Sequence, residues 1–257
     1  MKVPGLTGLF PTLSGQTLAI ALIALLAGAV RGFAGFGAGM ILIPFVSAFF
    51  GPRIGASAIL VADGLLTLPY LAGAVRRCEP RTVLPVALGA VIAIPVGAYF
   101  LRSIDPTPIR WAMAPLIVAL LALLLSGWRY RDVPPVGTSL LVGAMAGLLS
   151  GLIQLSGPPV VALWISGPAA PTIIRSNIFV FFGITTVAAT ISYAVGGIFG
   201  RDLLPVLVTI MPGYAVGLVL GSRYFGRADP KLFRRIAVGL IAASVIVSLP
   251  VLDPYIR

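Results

Sequence analysis

Arg31-Gly-Phe-Ala-Gly-Phe-Gly-Ala-Gly39 sets a glycine at every second or third position between two long apolar runs. No charged residue occurs from Val3 to Val30 or from Gly32 to Pro52, so Arg31 stands alone in about fifty residues of chain. An ionisable side chain at membrane depth is costly and is kept where it faces a cavity or a partner. Glycine-broken backbone is tolerated at that depth only where protein or water covers it. The stretch therefore reads as a break inside a membrane-embedded segment.

The rest of the chain fits that reading. Hydrophobic residues make up 59% and charged residues 10%, with a mean hydropathy of +1.08, against roughly 25% charged in an ordinary soluble domain. The charge-free runs Thr82 to Leu101, Trp111 to Trp128, Ser176 to Gly200 and Leu203 to Ser222 approach or exceed the ~20 residues that cross a bilayer core as helix. A barrel would show short alternating segments instead. The fold class is an all-α polytopic membrane protein. Its net charge of +11 sits in short loops, with no block of Lys and Arg interleaved with aromatics, which excludes a nucleic-acid partner. The single cysteine, Cys78 in Arg76-Arg-Cys-Glu-Pro80, forms no intrachain disulfide and no CxxC site. There is no histidine, so no imidazole serves as metal ligand, base or pH switch. The parts for a membrane enzyme are scarce, and no catalytic residue, metal or cofactor is assigned.

Apolar segments at about 17–50, 54–75, 82–101 and 108–128 are followed by a polar loop and by a second set at 137–169, 174–198, 203–222 and 232–250. A shift of 115 lays Gly28 on Gly143, Gly32 on Gly147 and Pro44 on Pro159. A shift of 120 lays Pro85 on Pro205 and Gly97 on Gly217, and one of 124 lays Asp105-Pro106 on Asp229-Pro230. The pattern is that of an internal duplication. It divides the chain into a short N-terminal segment (1–16), a first membrane repeat (17–128), a central loop (129–136) and a second repeat (137–257). With no clear cleavage site after the first residues, the first segment is expected to stay in the mature protein.

The opening segment of each repeat is too long for one crossing. Val133 to Ile174 is uncharged throughout and would make about 63 Å of straight helix, against a core of about 30 Å. Turn signals lie at Gly32, Gly35, Gly37 and Gly39, and at Ser150-Gly-Leu-Ile-Gln-Leu-Ser-Gly-Pro-Pro159, so each segment reads as a helical hairpin, re-entrant or twice crossing. Counting basic residues supports this. With hairpins, one side collects the eleven at positions 76, 77, 81, 129, 131, 175, 223, 227, 231, 234 and 235, and the other collects the six at 2, 53, 102, 110, 201 and 257. Single crossings give almost equal numbers. The hairpin model recovers a positive-inside bias with both termini outside and puts three crossings after each hairpin, so the two repeats insert in opposite orientations.

The glycine-rich Arg31 to Pro44 segment, its counterpart Ser150 to Pro159, and Arg175-Ser-Asn-Ile-Phe opening the next span resemble the sulfite exporter TauE/SafE family of bacterial membrane permeases. The likeness covers nearly the whole chain. It implies a multi-pass protein of the bacterial inner membrane that moves small anions, such as sulfite or organosulfonates, commonly outward. The sequence departs from the family pattern in Gly-Phe-Gly-Ala-Gly39, where a run of glycines is usual, and in Gln154-Leu155-Ser156 before the second Gly-Pro.

A site for an oxyanion must replace its water without holding it too tightly. The first N–H groups of a helix lack internal partners and carry partial positive charge, and glycine lets backbone approach a ligand closely. Gly35, Gly37, Gly39 and Gly157 are candidates on this ground; the alternative is tight helix packing. Arg31 offers the planar fork that suits sulfonate or carboxylate, or else anchors at headgroups. Gln154, Ser156, Arg175 and Asn177 complete the substrate-binding set; the alternatives are intrahelical back-bonding for the serine, an inside-loop topology charge for Arg175 and another helix as the neighbour of Asn177. Asp63 is the one carboxylate well inside a span, read either as a proton carrier or as a partner of Arg31. The expected partners are a small anion and the lipid bilayer; a homo-oligomer is left open. An accessory subunit without transport of its own and an anion channel stand as alternatives to a secondary carrier.

Overall fold

The computed structural model describes residues 15–126, 134–165, 167, 169–224, 238–243 and 246. Nine helices of nine residues or more occur among them: α1 (Gly15–Ala34), α2 (Ala38–Phe50), α3 (Pro52–Val75), α4 (Pro80–Ser103), α5 (Pro106–Leu125), α6 (Val136–Ile153), α7 (Gly157–Ile165), α8 (Pro171–Val195) and α9 (Leu203–Tyr224). The segment expected at 232–250 lies largely outside the described residues. Four helices start on proline, at Pro52, Pro80, Pro106 and Pro171, where the missing N–H costs nothing and φ is already helical.

All but α2 and α7 are long and apolar enough to cross a membrane. Their outward faces carry large apolar side chains; on α4 the exposed stripe is Leu84, Leu88, Ile92, Val96 and Tyr99, a helical spacing. In water such a surface would be an interaction patch; here it is the face turned to lipid. The chain is a multi-pass membrane protein.

Helix directions follow from which residues meet. On α1, Gly28 abuts Tyr214 and Leu218 of α9, and Gly32 abuts Leu218 and Ser222, so α1 and α9 run parallel. Asp63 meets Tyr214 and Tyr70 meets Ser222, so α3 runs parallel to both. In the same way Gly89 faces Leu140 and Gly97 faces Leu148, making α4 parallel to α6. Thr82 bonds Asn177 while Tyr99 and Arg102 lie beside Ser192 and Val195, adding α8 to that set. Between the sets, Gly64 touches Thr186 and Gly183 touches Leu71, so α3 and α8 are antiparallel. Two consequences follow. The α2 helix, joining parallel α1 and α3, has to run back against them, and α7 does the same between α6 and α8; both opening segments are hairpins. The set α1, α3, α9 points opposite to the set α6, α8, α4.

The parallel pairs pack backbone to backbone. A Cβ on Gly28, Gly32, Gly217 or Gly221 would fall on a carbonyl oxygen of the facing helix, and so would one on Gly143, Gly147 or Gly151. Where lipid is as apolar as leucine, such close approach is what holds helices together.

Candidate functional site

The two hairpin elbows meet at the centre of the bundle. The first is Gly35 to Gly37, where both glycines have positive φ, 82° and 97°, conformations costly for other residues. The second turns at Gln154, whose φ of 54° is the one positive value on a non-glycine among the described residues. A Cβ on Gly39 would stand 2.9 Å from the Gln154 carbonyl oxygen, and one on Gly157 would stand 3.4 Å from Cβ of Phe36. Between the elbows lies a cavity of about 40 Å³ lined by Arg31, Phe36 to Met40, Asp63, Gln154, Gly157, Phe182, Thr185 and Thr186, among others.

Arg31 dominates the polar wall. It is 2% exposed and its fork is engaged: Nε lies 2.7 Å from Asp63 Oδ1, Nη2 lies 2.9 Å from Asp63 Oδ2, and Nη1 donates to the Gly35 carbonyl. The guanidinium also lies over the rings of Phe179 and Phe182, 4.9 and 4.5 Å from their centroids. The Tyr214 hydroxyl donates to Asp63 Oδ1 at 2.6 Å. Of the two readings of Asp63, pairing with Arg31 is the arrangement present, and Arg31 is buried rather than reaching for headgroups. Each polar atom of the pair has a partner with hydrogen-bond geometry, as a buried ion pair requires.

The first turn of α2 opens onto the cavity. Its N-cap, Gly37, offers no side-chain bond, and Gly37, Ala38, Gly39 and Met40 all line the space; the first N–H groups of a helix have no acceptor within it. The facing start of α7 is poorer in donors, because Pro158 and Pro159 have no N–H. Gln154 adds an amide that sits beside the Tyr193 phenol, while its Nε2 finds no acceptor of normal geometry.

Of the residues singled out in the sequence, Arg31, Gly37, Gly39, Asp63, Gln154 and Gly157 line one cavity. Ser156 is buried at the second elbow, 1% exposed. Gly35 supplies a carbonyl to Arg31. Arg175 and Asn177 do not line this cavity, although Arg175 packs against the first elbow, where a Cβ on Gly35 would stand 3.5 Å from its Cγ. Arg175 Nη2 donates to the Gly32 carbonyl at 2.7 Å, closing the end of α1. The Asn177 side chain accepts from the Glu79 N–H at 2.8 Å and donates to Thr82 Oγ1 at 3.2 Å, tying α8 to the start of α4. Sequence reasoning missed Tyr214, Phe179, Phe182 and Thr185. A phenol in the middle of the apolar run Leu203 to Ser222 was the available signal for Tyr214, since a buried tyrosine hydroxyl needs a partner.

Membrane-length helices around two opposed broken hairpins, with one buried ion pair at their meeting point, define a multi-pass membrane protein of the transporter kind. The chain belongs to the Sulfite exporter TauE/SafE family, whose model matches residues 20–248. A relative from Cupriavidus necator H16, described as "Probable sulfite/organosulfonate exporter TauE", is 26% identical over 235 residues, covering 86% of this chain and 90% of the relative. No solved structure matches the chain. Family membership makes this protein a membrane exporter.

Proposed function

We propose that the protein is a secondary exporter of a small sulfur oxyanion, sulfite or an organosulfonate, in the bacterial inner membrane, and that the cavity between the elbows is its substrate site. The observation that carries this is the convergence of an arginine fork, the open first turn of α2 and the Gln154 amide on one cavity. Each favours an oxyanion: the fork by geometry and charge, the helix start by orphan N–H groups and the dipole. The relative described as a sulfite/organosulfonate exporter points to the same class.

Alternating access is the mode that the helix directions support. Under the correspondence of α1 with α6, α3 with α8 and α9 with α4, the pairing of α1 with α9 becomes that of α6 with α4, and the two sets run in opposite directions. That is the behaviour of inverted repeats, which rock against each other around a fixed midplane site. The cytoplasmic side is the one carrying Arg76, Arg77, Arg81, Arg175 and Arg223.

The test is flux through purified protein in liposomes for sulfite, sulfoacetate, taurine and lactate, with and without a pH gradient. Saturable movement of sulfite or sulfoacetate is the expected result. Transport of lactate alone would move the substrate class, and no flux of any of the four over empty liposomes would leave an accessory subunit.

A further inference from the structure

The Arg31 fork is already occupied by an anion, and that anion belongs to the chain. Asp63 presents Oδ1 and Oδ2 at 2.7 and 2.9 Å to Nε and Nη2, the side-by-side geometry in which a guanidinium takes any group with two oxygens on one atom. Tyr214 of α9 adds a bond to Oδ1. Around this centre α8 presents Phe179, Phe182, Thr185 and Thr186, with Arg175 directed at the Gly32 carbonyl. Tyr70 of α3 stacks on Phe179, and α2, α6 and α7 contribute backbone, apolar groups and the Gln154 amide. Asp63 is thus the one carboxylate lining the cavity among the described residues. Arg31 and Asp63 cancel, so a second anion entering would bring an uncompensated charge into a buried place, which is expensive.

We infer, on top of the reading in the preceding section, that Asp63 is a tethered stand-in for the substrate. In the empty protein it holds the Arg31 fork and the Tyr214 hydroxyl; when a proton from water neutralises the carboxylate, Asp63 lets go and the substrate anion takes both. One cation and one anion are at the centre before and after the exchange, so each substrate anion binds together with one proton. The fork also restricts the class of substrate: sulfite, sulfonates and carboxylates carry two oxygens on one atom and fit it, whereas chloride does not.

The experiment is calorimetric binding of methanesulfonate, which stays a monoanion across the range, to the purified full-length chain in detergent between about pH 5 and pH 9, with chloride as competitor. One coupled proton gives about a tenfold gain in affinity per unit fall in pH wherever Asp63 is ionised in the free protein. Chloride should not compete. Asp63→Asn should bind with no pH dependence and more tightly than wild type at alkaline pH. A residue that merely aims Arg31 predicts the reverse, weaker binding by Asp63→Asn at every pH, and that result would overturn the inference. So would pH-independent binding by the wild type, an arm that needs no variant and decides the matter even if Asp63→Asn does not fold. Binding without pH dependence removes the stand-in but keeps the site; absence of methanesulfonate binding at every pH removes the site and the stand-in with it.

Discussion

Arg31 and Asp63 form a buried ion pair held by two hydrogen bonds, the pairing that was one of the two readings of Asp63. They are 32 positions apart, and what brings them level is the return of α2 between two parallel helices, which spacing alone does not encode. Arg175 and Asn177 fall on different faces of α8. Two positions on a helix differ by about 200° around its axis, so Arg175 faces α1 and Asn177 faces α4. The buried pair makes a stability prediction. Arg31→Met should lose about 3–5 kcal/mol, because removing one partner leaves a buried charge unpaired. Arg31→Met with Asp63→Leu should recover most of that loss and still not transport, as read by chemical unfolding in detergent beside flux in liposomes. If the double variant transports, the pair is scaffolding and the substrate is held elsewhere.

At the level of helices, the glycines that looked alike in the sequence divide into two kinds. Gly28, Gly32, Gly143, Gly147, Gly217 and Gly221 serve the backbone contacts of the parallel pairs, where any Cβ meets a carbonyl of the neighbouring helix. A Cβ on Gly157 would instead meet Phe36 and Phe182 at ordinary contact distances, 3.4 and 3.5 Å, inside the cavity wall. The repeat had placed Gly28 over Gly143 and Gly97 over Gly217 without saying why. In the structure α1 packs on α9 and α6 packs on α4, so these glycines recur at the same kind of interface. Gly217→Val should therefore fail to give folded protein. Gly157→Val should elute as wild type from a sizing column while losing most of its transport, since its side chain fills space that the anion needs. Equal folding defects in both variants would count against that division.

For the whole molecule, the grouping of basic residues used to choose hairpins is the grouping that the fold produces among the described residues. Arg53 bonds the carbonyls of Leu101 and Arg102, which puts positions 53 and 102 on one side. The Glu79 to Asn177 and Arg175 to Gly32 bonds gather 76–81 and 175 on the other. Among the described residues, the apolar segments and the site of each break were readable because lone charges, glycines and prolines mark them; which helix lies on which was not, because nearly every face of a membrane helix is apolar. Cys78, the one free thiol, reports the orientation: a membrane-impermeant maleimide should label it in inverted vesicles and leave it unlabelled in intact spheroplasts. The central claim, that this bundle carries an oxyanion by exposing one site to each side in turn, is tested most directly by counterflow. Purified protein in liposomes loaded with labelled sulfoacetate should release it along a saturable curve, faster when unlabelled sulfoacetate is supplied outside, and Arg31→Ala should need a roughly tenfold to hundredfold higher concentration, since a hydrogen bond to a charged group contributes about 1.5–3 kcal/mol. Release that rises linearly with concentration and ignores external substrate, or normal saturation by Arg31→Ala, would contradict it.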